Sequence, residues 1–153
     1  MTNIPNKING DVLYATELFK IIASDNTGGS VNNTVVETVL STQTISANQV
    51  GTGIIVLASV RYGGRDSTAG GNTTCVFNLK IGPTGSPTTK KSLTLWTGDH
   101  GVGTPLNGGG ALLMYYDNSQ TWSAGVDVDV TATMSTAVAL LDAYVDSVIV
   151  IGV

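Results

Sequence analysis

Residues 143 to 153 read Ala143-Tyr144-Val145-Asp146-Ser147-Val148-Ile149-Val150-Ile151-Gly152-Val153, and this stretch decides the fold. It is apolar and β-branched almost throughout, broken only by Asp146 and Ser147. Such a run predicts a strand buried on both faces. A greasy terminus needs a cover, which is either the chain's own second sheet or a neighbouring subunit. In a sandwich its expected place is the middle of a sheet. Charging Val148 or Val150 is then expected to unfold the domain rather than dissociate it.

The rest of the chain supplies the sheets. Val126, Val128, Val130, Ala132 and Met134 alternate with Asp127, Asp129, Thr131 and Thr133, the clearest two-residue period present. Cys75, Phe77, Leu79 and Ile81 alternate in the same way with Val76, Asn78 and Lys80, and Leu93 and Leu95 with Thr94 and Trp96. Alternation of this kind marks half-buried strands. Val35 to Leu40, Ile54 to Val60 and Ala111 to Tyr116 read as further strands, and Ser135 to Leu141 as a connecting loop. About seven or eight antiparallel strands between Gly, Pro and Asn turns predict a mainly β fold, a β-sandwich or jelly roll.

The first 33 residues read differently. Met1 to Asp11 is a polar arm ending in the turn Asn9-Gly10-Asp11. A short helix is expected over Tyr14 to Ala23, with Leu18, Ile21 and Ile22 on one face and Glu17 and Lys20 turned away. Two to three turns cannot hold themselves together in water, so this helix must pack on the domain or on symmetry copies. Leu13, Leu18, Ile21 and Ile22 are the candidate attachment or oligomerisation residues. Ser24 to Asn33, centred on Gly28-Gly29-Ser30, reads as a linker. The expected organisation is an attachment arm with helix and linker over 1–33 and a β domain over 34–153.

Composition narrows the function classes. Charged residues are 12% of the chain, about half of the ~25% usual for soluble domains. A polar but weakly charged Thr/Asn/Gly surface is easily desolvated against copies of itself, which favours assembly. A net charge of −4, with Arg61 and Arg65 the sole arginines, argues against nucleic-acid binding. Cys75 stands alone, so neither an internal disulfide nor a four-cysteine zinc site is expected. Met1 to Gly10 lacks the apolar core of a signal peptide, and no run reaches the ~18–20 apolar residues of a membrane span. Synthesis in the cytoplasm is expected, so the sequons headed by Asn32 and Asn72 are read as chance matches.

No catalytic constellation can be assembled. Asp99-His100 pairs the lone imidazole with a carboxylate, but no Gly-x-Ser-x-Gly elbow accompanies it, and one histidine does not make a typical transition-metal site. Gly108 to Gly110 leads into a strand, so no helix N-terminus is offered to a phosphate. Asp127, Asp129, Asp142 and Asp146 could gather calcium or act as glycosidase acids, but alternating acids also describe a solvated strand face. The expectation is no enzyme, no metal and no cofactor. Trp122, with Asp117, Asn118 and Gln120 near it, and Tyr115 or Tyr116 are the candidate platforms for a glycan contact; core packing is the competing reading for Trp96 and one tyrosine.

The turn Asn9-Gly10-Asp11-Val12-Leu13, the segment Ala15-Thr16-Glu17-Leu18, the Gly/Ser linker and the β domain together resemble the small fibre and decoration proteins of tailed bacteriophages. The turn there often runs Gly-Asp-x-Leu followed by a Thr or Ser cap; Tyr14 holds the capping place here. The resemblance implies a homotrimeric virion protein, docked on capsid or tail proteins through its N-terminal arm, with an outward-facing jelly roll. It transfers no catalytic residue. Two other readings stay open: a carbohydrate-recognising module of a phage tail that contacts a host surface glycan, and a filament subunit whose arm adds a strand to the next sheet.

Overall fold

The computed structural model describes residues 19–65, 73–97, 105–137 and 141–153. Among these residues there are nine strands and no helix: β1 (Lys20–Asp25), β2 (Gly29–Asn32), β3 (Thr38–Ile45), β4 (Ile54–Arg65), β5 (Thr73–Pro83), β6 (Thr88–Thr97), β7 (Pro105–Asp117), β8 (Val126–Met134) and β9 (Leu141–Gly152). They form two antiparallel sheets. The first runs β1-β9-β4-β7, with β2 pairing the other half of β9; the second runs β3-β8-β5-β6. Apart from the β1–β2 and β5–β6 turns, every connection carries the chain from one sheet to the other.

One apolar core joins the two sheets. β4 contributes Ile54, Val56, Ala58, Val60 and Tyr62; β5 answers with Cys75, Phe77, Leu79 and Ile81, and β8 with Val126, Val128 and Val130. In each strand these are alternate residues, so the period read in the sequence is the pleat that sends every second side chain inward. Burial pushes the Cys75 thiol up to about 12, which makes it an inert core residue. The Tyr62 hydroxyl lies 3.0 Å from Thr73 Oγ1, so the one large polar tip in the core is bonded.

β9 sits mid-sheet, between β4 on one side and β1 and β2 on the other, as its composition requires. Leu141, Ala143, Val145, Val148 and Val150 are buried. The opposite face, with Ile149 and Ile151, is only half-buried, so the expectation of burial on both faces holds for one. Asp146 and Ser147, the polar break in the sequence, form a β-bulge. Ser59 pairs with Ser147 and Val60 with Val145, leaving Asp146 as the extra residue. Were the same sequence paired without a bulge, the side chains on one half of the strand would change faces.

The N-terminal expectations need correction. Lys20 to Ala23, predicted as the end of a helix, lie in β1, paired with Val150 to Gly152. A run as short as Leu18, Ile21 and Ile22 satisfies either period, and the half-paired edge of β9 settles which is used. Leu13 and the part of the predicted helix up to Leu18 lie outside the described residues. Residues 24–33 are not a linker either. Gly29 to Asn32 are β2, and a Cβ on Gly28 would run into the Val145 carbonyl, one on Gly29 into that of Leu40. These glycines serve close backbone approach between β9 and β3, not flexibility. Asp25 fastens the corner: its carboxylate accepts from the Thr27 amide (2.9 Å) and hydroxyl (2.7 Å) and from Ser41 Oγ of β3 (2.8 Å). Among the described residues the strands number nine rather than about seven or eight, because β1 and β2 come from the supposed helix and linker.

Candidate functional site

Three neighbouring strands of the first sheet are apolar in both parities, so their outward faces are apolar too. The pairing aligns these residues in rows. Ile21, Ile151, Ile55 and Tyr116 form one row across the sheet, and Ile149, Leu57 and Met114 form the next. A third row holds Ser147, Ser59 and Leu112. Ile21, Leu112 and Met114 are each 61% exposed and Tyr116 is 49% exposed; Ile55, Leu57, Ile149 and Ile151 are partly covered by one another. The patch presents on the order of 500 Å² of side chain, at the upper end of what monomers expose contiguously. Phe19, two residues before Ile21, is exposed as well.

A polar rim bounds the patch at the bulge. Arg61 Nε and Nη2 grip Asp146 in a two-point pair at 2.8 and 2.7 Å, and the guanidinium carbon lies 4.7 Å from the Tyr144 ring centre. The hydrogen bond from Arg61 holds the Asp146 carboxyl below its ordinary range. Burial, and then the bond its hydroxyl donates to Asp142 Oδ2, push Tyr144 up. A shallow groove lies beside the rim, lined by Asn26 to Ser30, Arg61 and Tyr144 to Asp146.

The outer face of the second sheet is the opposite in character. Glu37 lies over it and accepts from Lys80 Nζ (2.7 Å), Thr131 Oγ1 (2.6 Å) and Asn78 Nδ2 (2.9 Å). These partners, Lys80 foremost, hold its carboxyl down at about 2. Asp129 accepts from Thr42 and Asp127 from Thr44 and the Gly85 amide, each within 2.9 Å. Trp96 projects from the edge strand β6, 70% exposed.

The structure separates the other candidate residues. Adjacent on β7, Tyr115 packs against the core while Tyr116 faces outward. Trp122 also packs against the core, and its indole nitrogen donates to the Thr52 carbonyl at 3.3 Å. The Tyr116 ring lies over Gly53, so Trp122 and Tyr116 flank one turn, 51–53, from its two sides. Of the four acids weighed for calcium, Asp127 and Asp129 lie on the second sheet and Asp142 and Asp146 on the first. Among the described residues no three His, Cys, Asp or Glu side chains gather where they could hold a metal ion. Asp99-His100 and Gly108 fall where no side chain is described. Asp117, expected beside the glycan contact as a loop acid, instead ends β7 and is buried, which sequence reasoning missed. Its burial opposes ionisation, yet bonds from the Ser119 hydroxyl and amide and from Gln120, with Lys90 3.9 Å away, keep its carboxyl low. It also missed the apolar outer face, whose signal was the lack of alternation in Ile54 to Val60, Ala111 to Tyr116 and Val148 to Ile151 together.

No protein-family model matches the chain, and no curated protein matches it. Among solved structures, one of infectious bursal disease virus Gx strain aligns with 87% of the chain at 11% identity and a TM-score of 0.49. The enzymatically active domain of bacteriophage CBA120 tailspike protein 4 aligns with 88% at 12% identity and a TM-score of 0.34. The chain spans 30% and 19% of the lengths of those two proteins.

Proposed function

We propose that the chain is a non-enzymatic structural protein of a virion, a homotrimeric capsid decoration or fibre subunit. The segment preceding β1 attaches to the particle and the β domain faces outward. The observation that carries this reading is the apolar outer face of the first sheet, a surface suited to assembly. The strand order supports it: β1-β9-β4-β7 against β3-β8-β5-β6 is the arrangement of a jelly roll, a fold used by viral capsid domains among others. Fold alone does not fix function, so the virion assignment rests on the resemblance of residues 9–18 to phage fibre and decoration proteins.

The test is co-sedimentation with virions from a producing lysate. Deleting residues 1–18 is expected to abolish co-sedimentation while the far-ultraviolet dichroism of the β domain stays the same. Co-sedimentation of the truncated, folded chain rejects attachment through this segment. A second reading, a host-glycan contact, is favoured by the placement of Trp122 and Tyr116 on either side of the 51–53 turn. There Trp122→Ala should abolish glycan-array binding, and an array without hits for the wild type removes the reading.

A further inference from the structure

We infer that the outer face of the β1-β9-β4-β7 sheet is where copies of this chain meet, so that its occupant is a second copy of the same protein. This rests on the homo-oligomer reading above and gives it a location. Three observations single out a copy of itself. A face that meets its own copies around a symmetry axis brings like groups close together, so uncompensated charge in it would repel. The rows Ile21-Ile151-Ile55-Tyr116 and Ile149-Leu57-Met114 contain none. On the rim, Arg61 and Asp146 already neutralise each other within the chain at 2.7 Å. The area, on the order of 500 Å², is more than half of the ~800 Å² per partner that a standard stable interface buries, and Phe19 and the rim extend it. The anatomy is also that of an interface, with an apolar centre, an aromatic at its margin and a polar border.

Light scattering at micromolar concentration tests the inference on the full chain. The wild type is expected at a multiple of the single-chain mass. Leu57→Lys combined with Met114→Lys is expected at the single-chain mass, with its dichroism spectrum unchanged. A monomeric wild type overturns the inference and leaves particle attachment through the N-terminal segment standing. An oligomeric, folded double variant overturns the face and keeps the oligomer. If the double variant fails to fold, the reactivity of Met114→Cys towards a maleimide decides, since Cys75 is buried. Protection of at least ~10-fold on going from dilute to associated protein supports the interface. Equal reactivity in both states overturns it. Protection at every dilution in a monomer identifies the chain's own N-terminal segment as the cover, and overturns it as well.

Discussion

At the scale of the residue, neighbours on one strand have opposite fates. Val150 is fully buried and Ile149 lies on the outer face. An unpaired charge in the core costs several kcal/mol, about as much as a whole domain's stability of ~5–15 kcal/mol. Val150→Asp is therefore expected to leave no folded protein, whereas Ile149→Thr should keep a cooperative thermal transition; both are read by melting curves. Glu37 makes a second prediction. Its carboxyl titrates at about 2 in the folded protein against an ordinary 4.5, so the stabilisation it brings is complete above about pH 4.5 and is lost as pH falls towards about 2. Asp25, lowered from 3.8 to about 2 chiefly by the Thr27 hydroxyl, adds to the loss over the same range. The thermal midpoint of the wild type should fall through that window, and that of Glu37→Gln should fall less. An equal acid response of the two proteins would show that Glu37 contributes nothing.

At the scale of the element, legibility followed periodicity. β8 spans Val126–Met134, the span its alternation predicted, because one face meets the apolar core and the other a layer of hydrogen-bonded polar groups that buries Asp127 and Thr131. β1 was illegible: Lys20 to Asp25 carries no decisive period, and its strand state depends on β9, more than a hundred residues away. The Gly28-Gly29 pair misled for a related reason. Glycine's lack of a side chain signals a linker or a tight contact equally well, and only the approach of Val145 and Leu40 distinguishes them. Gly29→Ala is therefore expected to cost roughly 2 kcal/mol or more, measured by denaturant unfolding, where a true linker glycine would tolerate the change. The outer face was legible in principle. Three apolar runs without alternation imply a sheet wanting cover on both sides, but which strands lie side by side is not written in any one of them. β7, at the sheet's edge, carries Gly110 to Tyr116 without a charge or a proline, so the gatekeeping usual on edge strands is missing beside the same face.

At the scale of the whole molecule, the two outer faces divide the labour. The outer face of the second sheet carries carboxylates, hydroxyls and Lys80 already bonded to one another, with Asp127 buried among them. Because Asp127 and Asp129 are satisfied by Thr44, Gly85 and Thr42, and Asp142 and Asp146 lie on the other sheet, millimolar calcium is expected to leave the melting temperature where it was. A rise of several degrees would reveal a site formed by other residues. The first sheet turns its apolar rows outward, and the Asp146 bulge decides which rows those are. Either side of this residue the strand runs out of phase, and beyond it valine and isoleucine alternate. Deleting it would join Val145 to Ser147 in plain alternation and leave Val148 and Val150 facing the core, with Ile149 and Ile151 outward. Loss of a single codon at this point therefore changes no side chain's face. In a strand without a bulge the same loss would reverse every residue beyond it, so the outward rows are buffered against one kind of indel.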